Sequence, residues 1–299
     1  MGAFMATMEG TFIYRRIGLA GVLHAVRKLP VVPILLLLPV VVCGIFGPLF
    51  YPHDPTVMKL SMALNPPAWV SGGDWSYFLG TDHMGRDLLS RLIEGARASL
   101  IVAVFGVGFA GIFGVAMGMI AGYLEGTIDN VIMRIVDTQM SIPAILLIIL
   151  LAAVLGGGLV TIIISVSLVF WTTYARVVRG ETLSIKQRDF VALAKVRGCR
   201  NIRILRKHIF PNLVNTVMVL ATLQLGRAII IEASITFLGL GIQPPATAWG
   251  LVISDGRIYM STAWWIPTFA GGAIMITVLG ANLLGDWLRD KLDPRLRQV

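Results

Sequence analysis

"SLIVAVFGVGFAGIFGVAMGMIAGY", residues 99–123, runs for 25 positions without one Asp, Glu, Lys, Arg or His. As a helix it extends about 37 Å, more than the roughly 30 Å of hydrocarbon in a bilayer. A helix on a soluble protein keeps one polar face, and this stretch has none. It therefore reads as a membrane span. Gly114, Gly118 and Gly122 recur at four-residue spacing, with Gly106, Gly108 and Gly111 before them. Small residues on one face let helix backbones approach closely, either within the chain or against a partner.

Five further segments have the length and polarity of a span: 29–50, 131–155 with Pro143 inside it, 159–180 after Gly156-Gly157-Gly158, 212–240 and 266–288. The expected fold is all-α, a polytopic membrane protein with six transmembrane helices. Composition agrees: 56% of the 299 residues are hydrophobic, 14% are charged and the mean hydropathy is +0.81. A soluble chain of this size cannot cover so much apolar surface. Arg15, Arg16, Arg27 and Lys28 before the first run imitate a signal peptide, but 29–50 is long and lacks a small-residue cleavage site. It is expected to stay as the first span.

The net charge of +9 does not indicate nucleic acid, because the basic residues flank apolar spans instead of forming one soluble basic surface. With the N-terminus inside, all the Lys and Arg except Lys59, Arg86, Arg91, Arg97, Arg227 and Arg257 fall on cytoplasmic segments or their flanks. That bias predicts both termini in the cytoplasm. The layout is then a cytoplasmic tail over 1–28, the first span, an external loop over 51–98 ending in an amphipathic stretch, a five-helix core over 99–288 and a cytoplasmic tail over 289–299. A second external loop, 241–265, carries Trp249, Trp264 and Trp265, residue types suited to anchoring at the membrane–water interface.

No catalytic grouping is present. His24, His53, His83 and His208 are scattered over separate segments, and Cys43 and Cys199 lie in unrelated environments, so neither a metal site nor a disulfide is expected. The phosphate-binding pattern GxxxxGK[ST] is missing. Energy for any transport must come from an ion gradient or from another subunit. Ionisable residues within spans mark candidate path or gate positions, because their burial in lipid is costly. Arg134 and Asp137 are one turn apart and able to pair. Arg227 and Glu232 are five apart, a poor intrahelical geometry, so at least one of them should find its partner on another helix or subunit. Asp137, close to Pro143, is the expected site of a helix irregularity.

Between the fourth and fifth spans lies "FVALAKVRGCRNIRILRKHIFPN", residues 190–212, with six Lys or Arg and no acid. Phe190, Val191, Leu193, Ala194 and Val196 follow helical spacing, and Gly198 stands where that helix should stop. A second helical stretch ends at Pro211, which is able to open the fifth span. An amphipathic helix lying on anionic lipid is one reading. A short helix braced against a second, forming a knob for a cytoplasmic protein, is the other.

This loop resembles the cytoplasmic loop of ABC importer membrane subunits, whose pattern is EAAxxxG followed by a proline. Here the pattern reads Ala192-Leu193-Ala194-Lys195-Val196-Arg197-Gly198, with Pro211 beyond it. Ala192 replaces the usual Glu and Leu193 the middle Ala. "LGTDHMGRDLLSRLIEGARASL" (79–100), "MRIVDTQMSIP" (133–143), "ITFLGLGIQPPATAWG" (235–250) and "NLLGDWLRDKLDPRLR" (282–297) each resemble stretches of the dipeptide, oligopeptide and nickel permease group. Their order and coverage, about three quarters of the chain, match the C-type member of that group's paired membrane subunits.

The resemblance implies a type I ABC importer permease fold in the bacterial inner membrane. It also implies a complex with a homologous second permease, one or two ATPase subunits that bind ATP and Mg, and an external solute-binding protein. The solute would be a di- or oligopeptide or a related small molecule, and this chain would hold no cofactor. Phe190, Ala192, Leu193, Ala194, Arg197, Gly198 and Pro211 would belong to the ATPase-docking loop 181–211. Asp82, Arg86 and Asp87 would contact the binding protein or shape the entrance, unless with Gly80 and Gly85 they form only a structural turn. The rivals from other classes are a secondary transporter driven by an ion gradient and a membrane scaffold that recruits an enzyme.

Overall fold

The computed structural model describes residues 30–292. The expected tail over 1–28 and the last seven residues of the C-terminal tail lie outside the described residues. The described chain is helical, with no strand longer than an isolated bridge between Thr81 and Asp87. Helix α1 spans Val31–Phe46. Helix α2 spans Leu88–Leu124, α3 Gly126–Met140, α4 Ala144–Leu155 and α5 Leu159–Lys186. Beyond these come α6 over Asp189–Val196, α7 over Asn201–Phe237, α8 over Trp249–Gly256 and α9 over Trp265–Leu292.

Helix α1 together with the 3-10 turn that extends it to Leu49, and helices α2, α5, α7 and α9, are each long and apolar enough to cross a membrane, and the bent pair α3–α4 makes a sixth crossing. That sixth crossing follows from packing. Gly106 of α2 lies against Val166 of α5, Gly114 against Trp171 and Tyr174, Gly118 against Ala175 and Val178, and Gly122 against Arg179 and Thr182. The two helices therefore run parallel, and the chain must return across the bilayer between them. The small-residue stripe thus packs within the chain. Outward-facing Ile112, Val154 and Val160 are exposed, as expected of side chains that meet lipid or another apolar subunit.

Several elements depart from the sequence reading. The amphipathic stretch before the second span is not a separate external piece; Asp87 caps it, accepting from the Ser90 N–H at 2.9 Å, and it continues into the span as one helix. The turn after α2 is confined to Glu125 and Gly126, both at positive φ, and α3 begins with that glycine. The third segment is broken, with α3 and α4 meeting at 88° across Ser141–Pro143. Pro143 has no N–H to donate and disfavours helical backbone at Ile142. Pro211, in contrast, breaks nothing. A π turn over Leu205–Ile209 widens the helix just before it, and α7 runs through.

Candidate functional site

Three groups of residues carry the chemistry: a loop at the basic end of the helices, charges within the spans, and a buried cluster at the tryptophan-rich opposite end.

At the basic end, α6 is seated by its inner side. Val191 and Ala194 are buried in the main core beside Ile185, Ile204 and Ile209. Its outer side shows Leu193 at 58% and Val196 at 86% exposure, with Phe190 next to them. Gly198 closes the helix at φ 73°, donating its N–H to the Lys195 carbonyl at 2.9 Å, while the Cys199 N–H reaches Ala194 at 3.1 Å. These two bonds make a Schellman motif, whose left-handed position favours glycine. Ala192 and Arg197 are exposed, and Pro211 lies in the first turn of the last section of α7.

The loop is tied to the end of α2, a link the sequence reading missed. The Tyr123 hydroxyl donates to Asn201 at 3.0 Å, and Lys186 donates to the Tyr123 carbonyl at 2.7 Å while pairing with Glu125 at 2.9 Å. Lys186 and Lys195 both lie over the Tyr123 ring, at 5.6 and 5.5 Å. A single tyrosine ending an apolar run carries no sequence signal for this role. The junction joins α6 to three spans, α2, α5 and α7.

The height of the loop follows from charge and length. The first charged residue of α5 is Arg176, and α5 continues to Lys186, about 15 Å further at 1.5 Å per residue. Helix α6 follows directly on Lys186 and so lies on the polar side of that first charge.

Within the spans, the expected Arg134–Asp137 pair does not form. Asp137 instead pairs with Arg176 of α5 at 2.5 Å, and Asp129 takes Arg179 in a two-pronged contact at 2.5 Å. Both pairs fasten α3 antiparallel to α5. Arg134 is exposed and in no ion pair among the described residues. Glu232 does find its partners on other turns and helices, but they are hydroxyls: Ser99 at 2.7 Å and Thr236 at 3.0 Å. It is fully buried, whereas Arg227 is exposed on the far side of α7.

At the opposite end, the three expected contact residues are buried, so their side chains hold the fold and are not free to meet a partner. Asp82 accepts from Arg86 at 2.6 Å and Arg91 at 2.5 Å, and from the Met84 and Arg86 amides at 2.8 and 2.9 Å. Both guanidiniums also reach Asp255 of α8, at 3.1 and 3.0 Å. Asp87 is the cap of α2. Trp249 and Trp265 are buried too, donating to the Leu92 and Thr81 carbonyls at 2.9 and 3.1 Å. They are packing residues of this lobe, while Trp69, Trp75 and Trp264 remain exposed.

Burial pushes the Asp82 carboxyl up, but Arg91 and Arg86 outweigh it and hold the group below the usual carboxylate range. A depressed pKa stabilises the fold above the unfolded value of about 3.9, and the gain fades as pH falls through the lower folded value. Tryptophan fluorescence of the lobe should therefore be flat from neutrality to about pH 5 and change only below about pH 4. Asp82→Asn should remove most of that acid transition; an unchanged transition would assign it to other carboxyls.

Comparison with known proteins places this geometry. Residues 114–298 match the family model described as binding-protein-dependent transport system inner membrane component. The di/tripeptide transport system permease protein DppC of Pseudomonas aeruginosa is 38% identical over 266 residues, covering 89% of this chain and 88% of that one. The oligopeptide transport system permease protein OppC of Bacillus subtilis is 37% identical over 272 residues, 91% of this chain and 87% of that protein. An inward-facing structure of the MetNI methionine ABC transporter shares the fold at a TM-score of 0.57 and 18% identity, covering 69% of this chain and 98% of that one. Nothing in these likenesses favours an ion-gradient carrier. The chain belongs to the family of inner-membrane components of binding-protein-dependent ABC transport systems.

Proposed function

We propose that this chain forms half of the translocation path of an ATP-driven importer of di- or oligopeptides, with a homologous second permease forming the other half. One or two ATPase subunits bind and hydrolyse ATP with Mg, and this chain carries no cofactor. The basic end, and with it both termini, faces the cytoplasm. The lobe built from residues 51–98 and 241–265 faces the solute-binding protein.

The observation that carries this reading is the knob made by α6. Its inner face is anchored by Val191 and Ala194 and its crest is apolar. ATP can drive transport only if ATPase closure has different affinity for two states of the membrane domain. A knob rigidly joined to α2, α5 and α7 supplies such a coupling point. Without the family's Glu at position 192, docking rests on Leu193, Val196 and the Gly198 turn. The cations at 195, 197, 200, 203, 206 and 207 suit an acidic rim around the ATPase cleft.

The test is uptake of alanyl-alanine by vesicles containing the complete complex. Uptake is expected to require ATP and the binding protein, and to survive an ionophore. Uptake that continues without ATP and collapses with the ionophore would return the ion-gradient reading.

A further inference from the structure

We propose that Arg227 is a solute-contacting residue that receives the carboxylate of the peptide in transit, an inference that rests on the reading of this chain as half of a peptide path. Arg227 lies on α7 about 15 Å from the Phe237 end and about 20 Å from Leu213, where the apolar part of the helix begins. A guanidinium with that placement is near mid-bilayer, too deep to extend to either interface. It is exposed on the chain, and none of the ion pairs among the described residues includes it.

An arginine facing lipid at that depth is strongly disfavoured, so this face of α7 looks onto water or onto a polar partner. Thr216, Leu220, Leu223, Ile231 and Ser234 share the face, and no other charge does. One turn away, the Gln224 side chain is buried, and neither its oxygen nor its nitrogen has a partner among the described residues. The one acid of the same helix, Glu232, is sequestered on the opposite side by Ser99 and Thr236.

A permanent inter-subunit ion pair at mid-depth would have to repay the desolvation of both charges. An arginine lining an aqueous path keeps its hydration and meets a counter-charge only when the solute arrives. Its planar fork fits the two oxygens of a carboxylate, a group every unmodified peptide carries at its C-terminus.

The test compares uptake of alanyl-alanine with uptake of alanyl-alanine amide by the reconstituted complex with its binding protein. The binding protein is the same throughout, so its own preference cancels when the uptake ratio of a variant is divided by that of the wild type. A charge-assisted hydrogen bond of ordinary strength corresponds to about a ten-fold change in that ratio. Arg227→Gln should lower the preference for the free carboxylate by about that factor, Arg227→Lys should keep most of it, and Arg227→Glu should turn it towards the amide. All three should co-purify with the second permease. An unchanged ratio in Arg227→Gln overturns the proposal. So does loss of the second permease from Arg227→Gln with its return in Arg227→Lys, which would make Arg227 an inter-subunit counter-ion. Failure of the wild-type complex to take up either peptide removes the peptide reading, and this inference with it.

Discussion

Gly118→Val is expected to abolish accumulation of the assembled protein, whereas Gly108→Ala on the same helix should be neutral or slightly stabilising. A Cβ at position 118 would stand 2.6 Å from the Ala175 carbonyl oxygen and 2.9 Å from the Val178 Cβ. The first obstacle is backbone, so no side-chain rotation relieves it. Relief requires α2 and α5 to separate, and the same helices are in equally close approach at Gly114 and Gly122. Valine adds two more carbons beyond that Cβ, for a cost of about 3 kcal/mol or more. Replacing a helical glycine returns at most about 1 kcal/mol of backbone entropy, so the clash decides the sign. At Gly108 a Cβ meets nothing within 4 Å, leaving only the favourable part. Yield of monodisperse protein in detergent and its thermal unfolding measure both variants. Equal melting of Gly118→Val and the wild type would mean that the α2–α5 contact is not the spine of the fold.

The stripe at 114, 118 and 122 was visible in the sequence as an invitation to pack, but its partner was not. Periodicity reports a face and carries no information about what covers it. The parallel pairing with α5 depends on α3 and α4 crossing back between them, a long-range fact. The same limit explains the misplaced ion pairs. Arg134 and Asp137 are neighbours on one helix, yet Arg176 wins Asp137 because tertiary packing brings α5 alongside. Asp82 and Arg86 are four residues apart and stand in one sequence motif, but Arg91 of α2 and Asp255 of α8 complete the cluster, and Asp255 is 164 residues further along the chain than Arg91. Pro143 and Pro211 show the opposite outcomes open to one residue type. At Pro143 the chain bends, while at Pro211 a π turn absorbs the missing donor. The short helix α6 and its stop were the most legible part, since the apolar spacing and the glycine turn at Gly198 are both local.

Leu193→Asp is expected to release the ATPase while leaving insertion and folding intact. Leu193 is mostly exposed, so the carboxylate meets water in the free chain, but on docking it would be buried at the centre of an apolar contact. A desolvated, unpaired charge typically costs several kcal/mol, enough to lower association by about a hundred-fold or more. Gly198→Pro should have the same consequence through geometry. Proline fixes φ near −65°, against the 73° at this position, and removes the N–H that bonds to Lys195. Gly198→Pro disturbs the loop itself, so Leu193→Asp is the cleaner variant. Stoichiometric ATPase co-purifying with both variants would place the docking surface elsewhere.

The most direct measurement is a photo-crosslink from a benzoylphenylalanine placed at Val196, the most exposed apolar side chain of the crest, in vesicles holding the complete complex. A knob that stands beyond the bilayer and enters an ATPase cleft predicts a dominant adduct with the ATPase subunit, lost when Leu193→Asp is combined with it. A dominant adduct with lipid, or an ATPase adduct that Leu193→Asp leaves untouched, would contradict the account.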